Sequence, residues 1–188
     1  MSTSPWKELL PTSIEVGGAE YEIRSDYRAV LDICSALSDV ELEEHEKVLV
    51  VLDIFYPAFR EMPPEHCQEA IEKCLSFVNC DEEEHDSKPV KLMDWEQDFK
   101  YIVAPINRVI GTEIRTVEYM HWWTFLAAYY EIGDCLFAQI VRIRKMKSKG
   151  KPLDKSDQAW YRENRKLVDM KANITGRENE ILKQWGGG

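Results

Sequence analysis

Residues 116–151 read TVEYMHWWTFLAAYYEIGDCLFAQIVRIRKMKSKGK, and this stretch decides the fold. Its apolar residues recur at the spacing of an α-helix, over a face broader than one surface stripe needs. Thr116 is a suitable N-cap for a first helix, and Gly133 predicts a break before a second one. Lysines and arginines then accumulate, as a helix C-terminus favours, and Gly150 ends the pattern. The stretch therefore predicts two consecutive helices.

Trp122 and Trp123 are neighbours in the first of these helices. Successive helix positions point about 100° apart, so one apolar face cannot hold both indole rings. Two interpretations of Trp122 follow: it packs under another element of the fold, or it joins His121 and Phe125 in a partner-binding patch. The main apolar face is expected at four positions, namely Met120, Trp123, Ala127 and Tyr130.

A turn signal lies near the N-terminus. Residues 13–16 and 20–23 alternate between apolar and polar side chains, and Gly17-Gly18 between them accepts the positive φ angles of a two-residue turn. The pattern predicts a β-hairpin over residues 13–23. A lone hairpin is marginally stable, so it must lie on helices or pair with strands of another copy.

Helical spacing continues through most of the remaining chain. Ser25 or Asp26 is expected to cap the first front helix. Asp94 is expected to cap the first back helix, which Pro105 should kink or interrupt. In the helix after Pro64 one apolar face is predicted, made of Cys67, Ala70, Ile71, Cys74, Leu75 and Val78.

The predicted fold class is mainly α: a bundle of about eight helical segments with a short N-terminal β-hairpin. We expect a single helical domain over residues 1–188, with front helices in 25–79 and back helices in 94–185, the last of them at 178–185. An acidic loop, residues 80–90, separates the two groups. We assign no function to its acidic part, 81–86, or to the glycine tail, 186–188.

Charge is divided unevenly along the chain. Residues 1–100 carry 9 Lys+Arg and 24 Asp+Glu, a net charge of −15, whereas residues 101–188 carry 15 and 10, a net charge of +5. The opposite charges of the two halves either bring neighbouring copies together or guide a charged partner. Alternatively, the charged side chains only keep the surface of each half solvated. Residues 142–171 hold 11 Lys+Arg and 4 Asp+Glu with interleaved aromatic residues, so nucleic-acid binding is an alternative. Two observations argue against nucleic-acid binding: the net charge of the whole chain is negative, and the sequence contains no known nucleic-acid-binding motif.

The sequence predicts neither export nor a membrane span. The N-terminus has no basic region leading into an apolar core, and no apolar run approaches about 18–20 residues. This favours the cytosol. The five cysteines are odd in number and lie mostly within helical patterns, which fits reduced thiols.

No pattern of residues indicates catalysis. The chain lacks a nucleophile elbow, a glycine-rich phosphate loop and a His-Glu-x-x-His motif. The cysteines and histidines between residues 66 and 85 could be taken for a zinc site. Their Cys-x6-Cys-x5-Cys-x4-His spacing, however, differs from the close pairs of structural zinc sites. We therefore expect no catalytic, cofactor-binding or metal site. These cysteines and histidines are Cys67, Cys74, Cys80 and His85, with His66.

Three short segments carry a family resemblance: Asp94-Trp95-Glu96, His121-Trp122-Trp123-Thr124-Phe125 and Lys149-Gly150-Lys151-Pro152-Leu153. With them the chain resembles the Gp-fifteen-type family. These are small proteins that siphophages and prophages of Gram-positive bacteria encode near the tape-measure gene. The resemblance covers most of the chain, from about the first helix to Lys171.

The resemblance implies a non-enzymatic phage tail assembly protein of the host bacterial cytoplasm. It is similar to the chaperones that hold the tape-measure protein soluble while tail-tube subunits polymerise round it. The implied partner is the tape-measure protein or another tail protein, with no membrane partner. Complementary charges and the hairpin edge predict a homo-oligomer. The alternatives are a structural tail or neck component retained in the virion, and a nucleic-acid-binding protein using residues 142–171. Candidate partner-binding residues are His121, Trp122, Trp123, Phe125 and Trp95.

Overall fold

The computed structural model describes residues 9–80 and 91–171. The acidic segment 81–86, His85, the expected helix at 178–185 and the glycine tail lie outside these residues.

The described part of the chain contains eight α-helices and one antiparallel hairpin, which confirms the predicted fold class. Within these same residues, three single turns of 3-10 helix lie at Phe59–Glu61, Pro64–His66 and Ile114–Thr116. The strands and helices are β1 Ser13–Val16, β2 Ala19–Glu22, α1 Tyr27–Ser38, α2 Glu44–Phe55, α3 Cys67–Val78, α4 Trp95–Ile110, α5 Trp122–Tyr130, α6 Leu136–Ser148, α7 Lys155–Glu163 and α8 Arg165–Val168.

Contacts between residues divide the chain into two compact units. Unit 1 comprises Met1–Glu84 and Glu118–Leu126, and unit 2 comprises His85–Val117 and Ala127–Gly188. The single helical domain stays a prediction beside this division. In the described residues, none of the helices has the length and apolar character needed to cross a membrane.

The hairpin of unit 1 forms as predicted. Gly17 and Gly18 have φ angles of +58° and +74°, and Val16 pairs with Ala19 across the turn. Gly17 N–H donates to the Glu69 carboxylate (3.0 Å), and the Tyr21 hydroxyl lies 3.0 Å from Nδ1 of His66. The hairpin is therefore fastened to the start of α3.

The buried face of α3 differs from the predicted one. Ala70, Cys74 and Phe77 are buried, whereas Leu75 is 37% exposed. Because positions i, i+4 and i+7 share one side of a helix, the aromatic ring of Phe77 extends the Ala70–Cys74 side and Leu75 points away from it. The prediction was therefore wrong at the end of α3, where it included Leu75 and omitted Phe77.

The start of α5 is also a correction. Thr116 does not cap a helix: it ends a 3-10 turn, and its hydroxyl donates to the Glu113 carbonyl (2.8 Å). The following residues are extended, because Tyr27 N–H donates to the Met120 carbonyl (2.9 Å) and Trp122 N–H to the Ser25 carbonyl (2.8 Å). These bonds to the start of α1 take the place of another helical turn.

In unit 2 the predicted cap at Asp94 and the predicted break at Gly133 are both present. Asp94 accepts from Gln97 N–H at the start of α4, and the helix continues through buried Pro105 without interruption. The break at Gly133 is confirmed, with a φ of +60°. Helical spacing also continues through residues 154–168, where the structure has two helices, α7 and α8, that meet at Asn164.

A buried ion pair organises unit 2. Arg144 donates to both oxygens of Asp98 (2.6 and 3.0 Å), and the side chains are 5% and 0% exposed. The remaining guanidinium N–H groups donate to three backbone carbonyls, so all five donors are used. The pair thus joins α4 to α6 and to the end of α8. The carbonyls belong to Leu92, Leu167 and Val168.

Candidate functional site

Trp122 and Trp123 both reach the C-terminal end of α3. The indole Nε1–H of Trp122 donates to the Val78 carbonyl, and that of Trp123 to the Phe77 carbonyl, each at 2.9 Å. The last carbonyls of a helix have no partner within the helix. Two neighbouring indoles therefore satisfy two neighbouring carbonyls, which gives the tryptophan pair a structural role.

Ring contacts continue from this pair into the core of unit 1. Trp123 stacks on Phe77 with centroids 5.5 Å apart, and Trp122 stacks on Phe125 at 5.6 Å. Phe125 stacks in turn on Tyr27 at 4.7 Å. The rings thus connect α5 with α1 and α3.

His121 lies at the start of α5 with both ring nitrogens engaged. Its Nδ1 accepts from Trp123 N–H (3.1 Å), and its Nε2 lies 3.0 Å from the Pro11 carbonyl. A carbonyl only accepts, so Nε2 carries the proton and the imidazole is neutral. Burial lowers the pKa of His121, against an opposing effect of the Pro11 carbonyl. Nδ1 therefore acts as an N-cap acceptor.

Four of the five candidate partner-binding residues lie together in unit 1. His121, Trp122 and Phe125 are 3%, 2% and 0% exposed, and Trp123 is half-buried. Trp95 belongs to unit 2, where its ring lies 5.3 Å from that of Tyr129. The packing interpretation of Trp122 agrees with this burial, whereas partner binding by these residues stays a prediction.

The apolar face expected on α5 is corrected by the same burial pattern. Trp122 and Phe125 face the core, whereas Ala127 and Tyr130 are exposed. The prediction was wrong because it centred the face on Trp123. Donation to the end of α3 and stacking on Phe125 instead turn Trp122 inward.

The sequence patterns did not predict that several apolar side chains of unit 2 are exposed. Tyr130 is 71% exposed, Leu136 43% and Val109 40%. The neighbour of Val109, Arg108, donates to the Ile132 carbonyl in the turn between α5 and α6. We call Val109, Tyr130 and Leu136 the Tyr130 surface. The break at Gly133 was the available signal, because side chains beside a turn are often left exposed.

Ion pairs within unit 2 neutralise part of the positive charge of the basic segment, residues 142–171. Arg142 pairs with Asp157, Arg144 with Asp98, and Lys147 and Arg165 both pair with Asp169. Burial raises the pKa of Asp169, but the hydrogen bonds from Lys147, Tyr161 and Arg165 outweigh this effect and lower the pKa to about 2. These side chains hold α6, α7 and α8 together.

Two cysteines of unit 1, Cys34 and Cys74, lack the features of reactive thiols. Burial raises the pKa of Cys34 to about 11 and that of Cys74 to about 12. Thiols with such values stay protonated at neutral pH and are poor nucleophiles and metal ligands. Among residues 9–80 and 91–171 there is no group of three His, Cys, Asp or Glu side chains placed to hold a metal ion.

A shallow groove of unit 1 runs between the hairpin and α1, beside Tyr119. Its two arginines are engaged within the fold. Arg24 donates to the Asp53 and Ile54 carbonyls at the end of α2, and Arg28 pairs with Asp26. The groove therefore offers little free positive charge to an anionic ligand.

Comparison with known protein families identifies the family to which the chain belongs. The model of the family described as Bacteriophage Gp15 protein matches residues 6–170, and the chain belongs to this family. It is a family of phage structural or assembly proteins, not known as enzymes. No curated protein and no solved structure matches the chain.

Proposed function

We propose that the chain is a phage tail assembly chaperone that binds the tape-measure protein in the host cytoplasm through the Tyr130 surface. Family membership supports a role in phage structure or assembly. The single observation that supports the surface is the exposure of Tyr130, 71%, at the end of α5. Large aromatic side chains at a surface are enriched among residues that dominate binding energy.

The chemistry of the surface suits a helical, partly apolar partner. Tyr130 and Leu136 flank the turn at Gly133, so both side chains are presented from a short, well-defined connection. An aromatic ring contributes a large contact area at a small cost in conformational entropy. A tape-measure protein is a long helical rod, whose apolar stripe would be covered by such side chains.

The experiment is co-expression with the tape-measure protein, followed by capture of the complex. Tyr130→Ala and Leu136→Ala are each expected to weaken capture about tenfold, the equivalent of roughly 1.4 kcal/mol, while the melting temperature stays the same. Leu75→Ala is the matched control, because Leu75 is a similarly exposed leucine of unit 1. It is expected to leave capture unchanged.

Two results would overturn the proposal. If the wild-type chain does not retain the tape-measure protein, the chaperone role is wrong. If purified virions contain the chain in stoichiometric amounts, it is a structural tail or neck component instead. Nucleic-acid binding is less well supported, since four cations of the basic segment already form ion pairs. It would show as an affinity that falls steeply with salt.

A further inference from the structure

Helices α1 and α2 expose apolar side chains on unit 1. On α2, Leu49 is 53% exposed and Val50 36%, while Val51, Leu52 and Phe55 are buried on the opposite side. At the end of α1 and in the connection to α2, Leu37 is 36% exposed and Val40 41%. We call Leu37, Val40, Leu49 and Val50 the α1–α2 surface.

The surroundings of this surface are acidic. Glu46 and Asp53 lie three residues before Leu49 and three after Val50, on the same outer side of α2, and Asp53 also pairs with the exposed Arg60 (3.7 Å). The described residues of unit 1, 9–80 and 118–126, contain sixteen Asp+Glu and five Lys+Arg, a net charge of −11. A surface with an apolar centre and an acidic rim favours a cationic partner.

Unit 2 carries a cationic surface. Beyond the cations that form ion pairs, seven exposed basic side chains of residues 142–171 have no acidic partner within the described part of the chain. Two of them lie one turn apart, Lys145 in the last turn of α6 and Lys149 at its C-cap. We call the seven the basic surface: Lys145, Lys149, Lys151, Lys155, Arg162, Lys166 and Lys171.

We infer that the α1–α2 surface of one copy binds the basic surface of a second copy. Two α1–α2 surfaces repel each other because both are acidic, and two basic surfaces repel each other likewise. Contact between unlike surfaces brings opposite charges together and removes exposed leucine and valine from water. The opposite charges set the orientation of the two copies, and apolar burial adds to the affinity.

An interface between unlike surfaces leaves one surface of each kind open on a dimer. Further copies add until a ring closes, or a filament continues. The inference does not rest on the proposed function, because the Tyr130 surface is not part of the contact.

The first test measures the mass of the wild-type protein by light scattering and sedimentation. The mass is expected to exceed that of a monomer, to rise with protein concentration, and to fall in 1 M salt, where the Debye length is about 3 Å. A monomer at low salt and at all concentrations overturns the inference, as does an association that salt does not weaken.

The second test uses two variants that each lose one surface. Leu49→Lys/Val50→Lys places cations within the α1–α2 surface, and Lys145→Glu/Lys149→Glu reverses charge on α6. Each variant alone is expected to be monomeric, with an unchanged circular dichroism spectrum. Leu75→Lys on α3 and Lys100→Glu on α4 are the matched controls, and both are expected to associate like the wild type.

The deciding result comes from mixing the two variants in equal amounts. Each retains the surface that the other lost, so the mixture is expected to form a 1:1 dimer and nothing larger. A mixture that stays monomeric overturns the inference. Variants that associate like the wild type also overturn it.

Discussion

Trp122 and Trp123 show how one residue type fills two environments in neighbouring positions. Their rings face different directions, as helix geometry requires, yet both N–H groups reach carbonyls at the end of α3. Trp122 is 2% exposed and Trp123 is half-buried. The difference in burial predicts a difference in what each ring contributes to stability.

Trp122→Ala is expected to lower the free energy of unfolding by about 3–5 kcal/mol, as for buried aromatic residues generally. Trp122→Phe keeps most of the ring but leaves the Val78 carbonyl without its indole donor, so a smaller loss of about 1–3 kcal/mol is expected. Urea denaturation followed by circular dichroism measures both. Equal losses in the two variants would show that the hydrogen bond contributes most of the stability.

His121 predicts a pH dependence of stability. Its pKa is lowered in the folded protein, whereas the unfolded chain has an ordinary value of about 6.5. The unfolded state therefore binds more protons between the two values, and stability falls as the pH is lowered below about 6.5. Protonation of Nδ1 also removes the acceptor for Trp123 N–H.

His121→Asn is the variant that isolates this effect. Asparagine keeps a side-chain acceptor at the N-cap but does not titrate. Between pH 7.5 and pH 5.5, the wild-type protein is expected to lose more stability in urea than the variant does. Parallel losses would assign the pH dependence to the carboxylates and the other histidines.

At the scale of elements, the hairpin depends on two glycines with different surroundings. Both have positive φ angles, but a Cβ on Gly17 would lie 2.2 Å from the His66 ring, whereas a Cβ on Gly18 meets nothing within 4 Å. Gly18→Ala is expected to cost about 1–2 kcal/mol through backbone strain alone.

Gly17→Ala is expected to cost more than Gly18→Ala, because His66 must also move and its contact with the Tyr21 hydroxyl is disturbed. The midpoints of urea denaturation of the two variants measure this difference. An equal effect of the two substitutions would mean that the hairpin does not lie on α3 as described.

The ion pair between α4 and α6 makes the second prediction at this scale. Arg144→Met leaves the Asp98 carboxylate buried without its cation, and a loss of about 3–5 kcal/mol is expected. Lys100→Met, on the exposed side of α4, is the control and is expected to change stability by less than about 0.5 kcal/mol.

A double variant tests why Arg144 matters. Asp98→Asn removes the charge and keeps an acceptor for Asp94 N–H. Arg144→Met/Asp98→Asn is therefore expected to be more stable than Arg144→Met alone in the same denaturation assay. If the double variant is less stable than the single one, the bonds of Arg144 to backbone carbonyls matter more than its charge.

At the scale of the whole molecule, the distribution of charge along the sequence largely follows the division into two units. The acidic front and basic back of the sequence correspond to unit 1 and unit 2, with two exceptions: residues 85–100 of the acidic half belong to unit 2, and residues 118–126 of the basic half belong to unit 1. The family to which the chain belongs is one of phage structural or assembly proteins. Surfaces of opposite charge on the two units are suited to the contacts between copies that assembly requires.

The class of fold and most local boundaries could be predicted from the amino-acid sequence. Helical spacing, the Asp26 and Asp94 caps, and the turns at Gly17-Gly18 and Gly133 depend on residues close in the chain, so they were predictable. Of the candidate site, the sequence singled out the residues at 121–125 but did not indicate which would be buried.

Only the tertiary structure decided which side of an amphipathic element faces the core. Thr116 lost its predicted role because the backbones of Met120 and Trp122 bond to residues 25–27 at the start of α1, far away in sequence. Leu49, Val50 and Tyr130 look like core residues by composition, and their exposure follows from where the other helices lie. Trp122 is buried because the end of α3 needs a hydrogen-bond donor there. No local pattern of residues encodes the position of that distant carbonyl.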